Sequence, residues 1–208
     1  MSGLIDISPA ITAAIAVWPG DVTYQREVAC DMRDGAHMTL SAIRTTLHVG
    51  AHADAPNHYA RDGHGIGTQD LAPYYGPCQV ISVNVAAGAR IQPEDVTDAI
   101  TQPRVLFYTG SFPNPNAFNE DFASLSPGLV HWLDKKGVIL VGIDTPSVDP
   151  FSSKQLESHN ALAATKMANL EGLVLSEVTP GAYTLIALPL PLTDADASPV
   201  RAALAPLP

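Results

Sequence analysis

Between Leu47 and Tyr59 the chain reads LHVGAHADAPNHY, and His48, His52, Asp54 and His58 all fall at even positions. Side chains of an extended strand alternate faces with a period of two residues, so these four groups are predicted to point the same way. A helix is the other route to a shared face, since His48 and His52 are spaced i, i+4. Gly50 weakens a helix, and Pro56 argues against one by pushing Ala55 toward extended geometry. The expectation is a strand running into a tight loop that projects three imidazoles and a carboxylate into one space.

That donor set suits a borderline divalent ion. Catalytic zinc takes histidine nitrogen and carboxylate oxygen, usually from three protein ligands with one position open to water. His48, His52 and Asp54 can supply the three, leaving His58 as a further polar group placed to handle a proton. Histidines scattered on a solvated turn would be the plainer account. Seven histidines occur in 208 residues, and three of them within eleven positions beside an aspartate favour the metal.

The rest of the composition excludes several classes. A net charge of −10, with eleven dispersed Lys and Arg, argues against nucleic acid. No apolar span is long enough for a membrane helix, and the start MSGLIDISPAI carries no secretion signal, so a cytoplasmic protein is expected. Cys30 and Cys78 stand in no metal or redox motif and read as two separate thiols. The length fits one domain over residues 1–208, and eighteen prolines imply short elements and many loops.

Strands are expected at Leu4–Ile7, Thr23–Ala29, Thr39–Val49, Gln79–Val85, Arg104–Thr109, Val138–Ile143, Leu173–Leu175 and Ala182–Leu188. Helices are expected from Gln92 to about Ile100, from Ser126-Pro127 to about Lys136, and from Lys154 to Thr165 with Ser153 as cap. This is an α/β chain with a mixed sheet and short helices, and residues 188–206 read as a Pro-rich tail along the surface. The Gly-rich loop 61–67 lacks phosphate-loop context. His37, His64 and His131 have no partner spaced for ligation. Asp144 and Asp149 read as loop-shaping residues that accept turn amides. By itself His159 on its helix reads as a satisfied core histidine, and Trp18 before Pro19-Gly20-Asp21 as either a core edge or a pocket wall.

The run HVGAHADAPNH resembles the HxGTHxDxPxH signature of the metal-dependent cyclase-type hydrolases, and within them the bacterial kynurenine formamidases. Ala51 stands where that signature has Thr, a change expected beside the ligands rather than among them. GIDTPSVDP and Asn169-Leu170-Glu171-Gly172-Leu173 extend the resemblance along most of the chain. It implies a β/β/α arrangement like a swivelling domain, a homodimer, and a substrate-contacting role for Trp18. It also adds His159 and Glu171 as ligands of a second metal.

With two zinc ions per subunit, Asp54 would bridge, one ion held with His48 and His52 and the other with His159 and Glu171. One zinc alone can bring the pKa of its water from about 15.7 to about 7. The activity implied is hydrolysis of N-formyl-L-kynurenine to L-kynurenine and formate, a step in tryptophan degradation, with His58 as general acid/base. Hydrolysis of another cyclic amide or imide, or of another aryl formamide, is the nearest alternative. A structural zinc protein and a non-haem iron oxygenase are more distant ones, the former disfavoured because structural sites lean on Cys.

Overall fold

The computed structural model describes residues 3–207. A seven-stranded sheet runs in the order Ile5–Asp6, Ala203–Ala205, Gly181–Ile186, Tyr75–Ser82, Arg104–Tyr108, Leu140–Ile143, Ala168–Leu170. The first four strands pair antiparallel and the last four parallel, which makes the sheet mixed. Arg104–Tyr108 and Leu140–Ile143 are buried on both faces because side chains from alternate positions enter separate cores. Leu106 and Leu140 pack with Ala51, Ala53 and Leu170 on one face. Val105, Phe107 and Val141 pack on the other against Leu129, Leu133 and Leu162.

Among the described residues three α-helices accompany the sheet: α1 (Pro56–Tyr59), α2 (Pro127–Asp134) and α3 (Glu157–Thr165). For α2 the sequence expectation holds, with Ser126 accepting the Leu129 amide and Pro127 opening the helix. The helix starting at α3 begins at Glu157 rather than Lys154, because Leu156 adopts a left-handed conformation. Ser153 accepts the Leu156 amide and tightens that turn instead of capping the helix. After Gln92 only the 3-10 turn Pro93–Asp95 forms, since β-branched Val96 and Thr97 do not continue it.

Two further expectations fail. Leu173 and Leu175 are buried, but the strand there is Ala168–Leu170, just before Glu171. The C-terminal stretch is no surface tail. It supplies Ala203–Ala205 to the main sheet and Ala197–Pro199 as partner of His52–Asp54, with Ala197, Ser198, Ala202 and Leu204 fully buried. Small alternating residues hide this strand character in the sequence, because Ala and Ser carry little β signal.

Candidate metal centre

The even spacing of the histidines works by a different geometry from the one expected. The strand from Leu40 stops at Arg44, and the chain turns where Thr46 Oγ1 accepts the His48 amide at 3.3 Å. Only His52–Asp54 is extended. Pro56, read as a helix breaker, occupies the first turn of α1 and so places His58 on a single helical turn. Turn, strand and helix each deliver one part of the set.

His52 and Glu171 are joined across the backbone, His52 N to Glu171 O at 3.1 Å and Glu171 N to His52 O at 3.0 Å. Glu171 follows Leu170 at the carboxyl end of a parallel strand, as Asp144 follows Ile143, which is where open α/β sheets present their ligand sites. His159 arrives from the first turn of α3. The structure thus gathers His52, Asp54 and Glu171 in one group and His48, Asp54 and His58 in another that shares Asp54, with His159 Nε2 within 3.5 Å of both central carboxylates and Trp18 lining the same cavity.

The carboxylate oxygens divide the rings between them. Asp54 Oδ1 lies 3.0 Å from His48 Nδ1 and 3.5 Å from His52 Nε2, while Oδ2 lies 3.4 Å from His159 Nε2. Glu171 Oε2 is 3.2 Å from His52 Nε2 and Oε1 is 3.5 Å from His159 Nε2. On the far side of each ring sits an acceptor. His52 Nδ1 donates to Gly50 O at 2.9 Å, His159 Nδ1 to Asp149 at 2.8 Å, and His48 Nε2 to Asp196 at 3.0 Å. Those outer bonds take up one N–H per ring, so a neutral imidazole turns its lone pair to the centre, the arrangement typical of metal-ligating histidines.

Burial of Asp54 and Glu171 opposes their ionisation, yet the surrounding imidazoles hold both below the usual carboxylate range. Burial likewise opposes the charged form of His52, but the facing Asp54 and Glu171 carboxylates push it up to about 10, and His159 is raised in the same way with Asp149 added. Two buried carboxylates facing each other demand positive charge here. His52 Nε2 and Asp54 Oδ1 are buried with no hydrogen-bond partner, polar atoms that folding does not leave without a reason. A divalent cation answers both needs, so the residues present fit a metal.

His58 differs from the other three. Its ring lies beside His48, with centroids 4.4 Å apart, and 31 % of its side chain is open to solvent. Burial pushes its pKa down, as do the nearby His48 and His159 rings. The same cavity, of about 570 Å³, is lined by an aromatic wall as well. The Trp18 ring is 5.0 Å from Phe151 and 5.5 Å from Phe118.

His37, His64 and His131 are exposed and away from this cluster. Asp144 accepts the Thr109 and Gly110 amides, and Asp149 those of Ser158 and His159, as loop-shaping residues would. Ala51 packs in the apolar core behind the ligands. Asn169 escapes the sequence reading: its Nδ2 donates to Asp54 Oδ2 at 2.7 Å and to Glu171 Oε1 at 3.3 Å. Its place two residues before Glu171 on a strand, hence on the same face, was the available signal.

The Cyclase family model matches residues 5–150, a stretch that contains His48, His52, Asp54 and His58 and ends before His159 and Glu171. The chain belongs to the Cyclase family, and is an enzyme. Among its relatives are the kynurenine formamidases of Bordetella petrii and Bordetella pertussis, each 44% identical over 206 residues and 98% of both chains. A solved structure described as that of a predicted metal-dependent hydrolase from Bacillus stearothermophilus superposes with a TM-score of 0.81. It is 26% identical, covering 97% of this chain and 97% of that one.

Proposed function

We propose that the enzyme hydrolyses N-formyl-L-kynurenine to L-kynurenine and formate. The observation that carries this is one cavity lined by both a metal-type donor cluster and an aromatic wall, in a chain 44% identical to kynurenine formamidases. Two zinc ions would be held by this donor set, one by His48, His52 and Asp54, the other by Asp54, His159 and Glu171. The division of Asp54's two oxygens between the rings supports the bridging role. Bound there, the ions supply Lewis acidity toward the scissile carbonyl and toward the attacking water.

The chain's own residues do the rest. Asn169 holds both central carboxylates in place, and Glu171 Oε1 also accepts the Val148 amide at 2.8 Å. An aryl amine leaves poorly unless protonated, and His58 is the one site imidazole whose ring nitrogens make no hydrogen bond shorter than its 3.9 Å approach to Asp196. As general base it takes the proton of the attacking water, and as general acid it returns that proton to the aniline nitrogen as the C–N bond breaks. Trp18 and its phenylalanine neighbours pack the aryl ring and keep water from it.

The enzyme is further read as a cytoplasmic homodimer acting on a small molecule. Supporting the first, both cysteines are free. Among the described residues, no helix is long and apolar enough to cross a membrane. Supporting the second, the hairpin Gln25–Cys30 with Leu40–Arg44 stands exposed with Val28, Leu40 and Ile43 uncovered, the last to 67%. The deciding experiment follows kynurenine release by absorbance, before and after chelation and after zinc is restored. Turnover that vanishes with chelator and returns with zinc is expected. A zinc-loaded enzyme inert toward N-formylkynurenine would overturn the substrate and point to a cyclic amide.

A further inference from the structure

The C-terminal stretch, unremarkable in sequence, is built into the metal centre. Ala197–Pro199 pairs antiparallel with His52–Asp54, and the pairing continues at both ends through Ala55 N to Asp196 O at 2.8 Å and Val200 N to Ala51 O at 2.9 Å. The segment just before it is pinned on its other side. Ile66 N donates to Ala195 O at 2.8 Å, Gly67 N to Leu192 O at 3.1 Å, and Asn57 Nδ2 to Asp194 O at 3.1 Å. The two backbones touch: a Cβ on Gly65 would sit 2.6 Å from Asp194 Cα, and one on Gly67 2.8 Å from the Leu192 carbonyl. Glycine at 65 and 67 is what lets the stretch close down this far.

The side chain fixed by this clamp is Asp196. Its Oδ2 is hydrogen-bonded to His48 Nε2 at 3.0 Å and stands 3.9 Å from His58 Nδ1, a charge beside that ring rather than a bond to it. We propose that Asp196 is a positioning residue for the reaction: it fixes the His48 tautomer that turns Nδ1 toward the metal, and so sets the ring against which His58 packs. A carboxylate behind a ligating histidine both orients the ring and makes it more basic. Asp196 is half exposed, and exposed ion pairs add little to folding stability, so the contact is not explained by a need to hold the fold together. This role rests on the reading of His48 as a ligand and His58 as the proton carrier.

The test titrates zinc into chelator-stripped protein by competition with a chromophoric chelator. It compares wild type with Asp196→Asn, Asp196→Glu, His48→Ala and Asp194→Asn. Asp194 is a control from the same stretch that meets the site only through its backbone carbonyl. Expected for Asp196→Asn is one of two zinc equivalents weakened by about 10–100-fold, with the melting temperature of the stripped protein unchanged. Its kcat falls while KM holds, and Asp196→Glu recovers part of both losses. Unchanged affinity for both equivalents in Asp196→Asn, or an equal loss in Asp194→Asn, overturns the role of Asp196 alone. Unchanged zinc binding in His48→Ala overturns the metal reading itself, and the positioning role with it.

Discussion

Asp149 Oδ2 lies 2.8 Å from His159 Nδ1 and also accepts the His159 backbone amide, so a single carboxylate sets both the start of α3 and the orientation of the ring it carries. Arg90 in turn fixes Asp149, donating to Oδ1 at 2.9 Å and to Ser158 Oγ and the Leu125 carbonyl at 2.8 Å each. Asp149 stays ionised well below the usual carboxylate range because His159 and the helix amides outweigh its burial.

Asp149→Asn therefore changes more than charge. The amide can offer an N–H to His159 Nδ1, which moves the ring proton to Nε2 and turns it toward Asp54 and Glu171. Zinc affinity is expected to fall by about 10–100-fold, read by competition with a chromophoric chelator. Arg90→Gln, which leaves Asp149 in place, should give a smaller loss. Full zinc affinity in Asp149→Asn would show that the tautomer is set elsewhere.

His58→Ala is expected to keep both zinc equivalents and lose turnover by about 10²–10⁴-fold, the usual contribution of a general acid/base. Metal content by elemental analysis and kcat on the same preparation separate the two effects. Loss of metal in this variant would make His58 a ligand.

The same residue predicts a pH dependence. Burial, together with the His48 and His159 rings, lowers the His58 pKa from 6.5 against the opposing pull of Asp54 and Glu171. Bound divalent cations would act in the same direction. A base must start neutral, so kcat/KM should hold as pH falls to 6.5 and drop only below it, where His58 takes up its proton. The acid limb should disappear in the residual activity of His58→Gln. An acid limb centred above 6.5 would assign it to another group.

What could be read in the sequence divides along the contacts that are local and those that are not. His52 and Asp54 were legible because a strand repeats its faces every two residues, and the α2 boundaries because Ser126 and Pro127 act within one turn. Glu171 and His159 were legible through resemblance alone. Glu171 reaches His52 by a backbone bridge between distant segments, which no local pattern encodes. Asp196 was invisible for a related reason: its strand partner is Ala55 and its neighbours are Ala195 and Ala197, so neither amphipathic period nor β propensity marks the segment.

Trp18→Ala should raise KM with zinc content unchanged, since the indole packs edge-on to Phe118 and Phe122 and lies against Phe151. Steady-state kinetics with the formylated substrate check this. If kcat falls while KM holds, the ring is positioning the reacting amide rather than binding the aryl group.

Gly172 links stability to the site. It sits at φ +66°, and a Cβ there would lie 2.2 Å from the Gly50 carbonyl oxygen. That oxygen is the acceptor that holds His52 Nδ1, and Gly172 directly follows Glu171. Gly172→Ala must therefore push apart the two segments that carry His52 and Glu171. The left-handed conformation alone costs a non-glycine residue about 1–2 kcal/mol, roughly 2–4 °C in melting temperature per kcal/mol for a chain of this size, and the clash adds to it. Gly88→Ala isolates the first effect, because Gly88 has φ +72° and nothing within 4 Å of an added Cβ. Both variants should melt earlier than wild type, Gly172→Ala by more. Only Gly172→Ala should also lose zinc affinity. Equal zinc affinity in the two variants would mean that His52 and Glu171 keep their places without the Gly50–Gly172 contact.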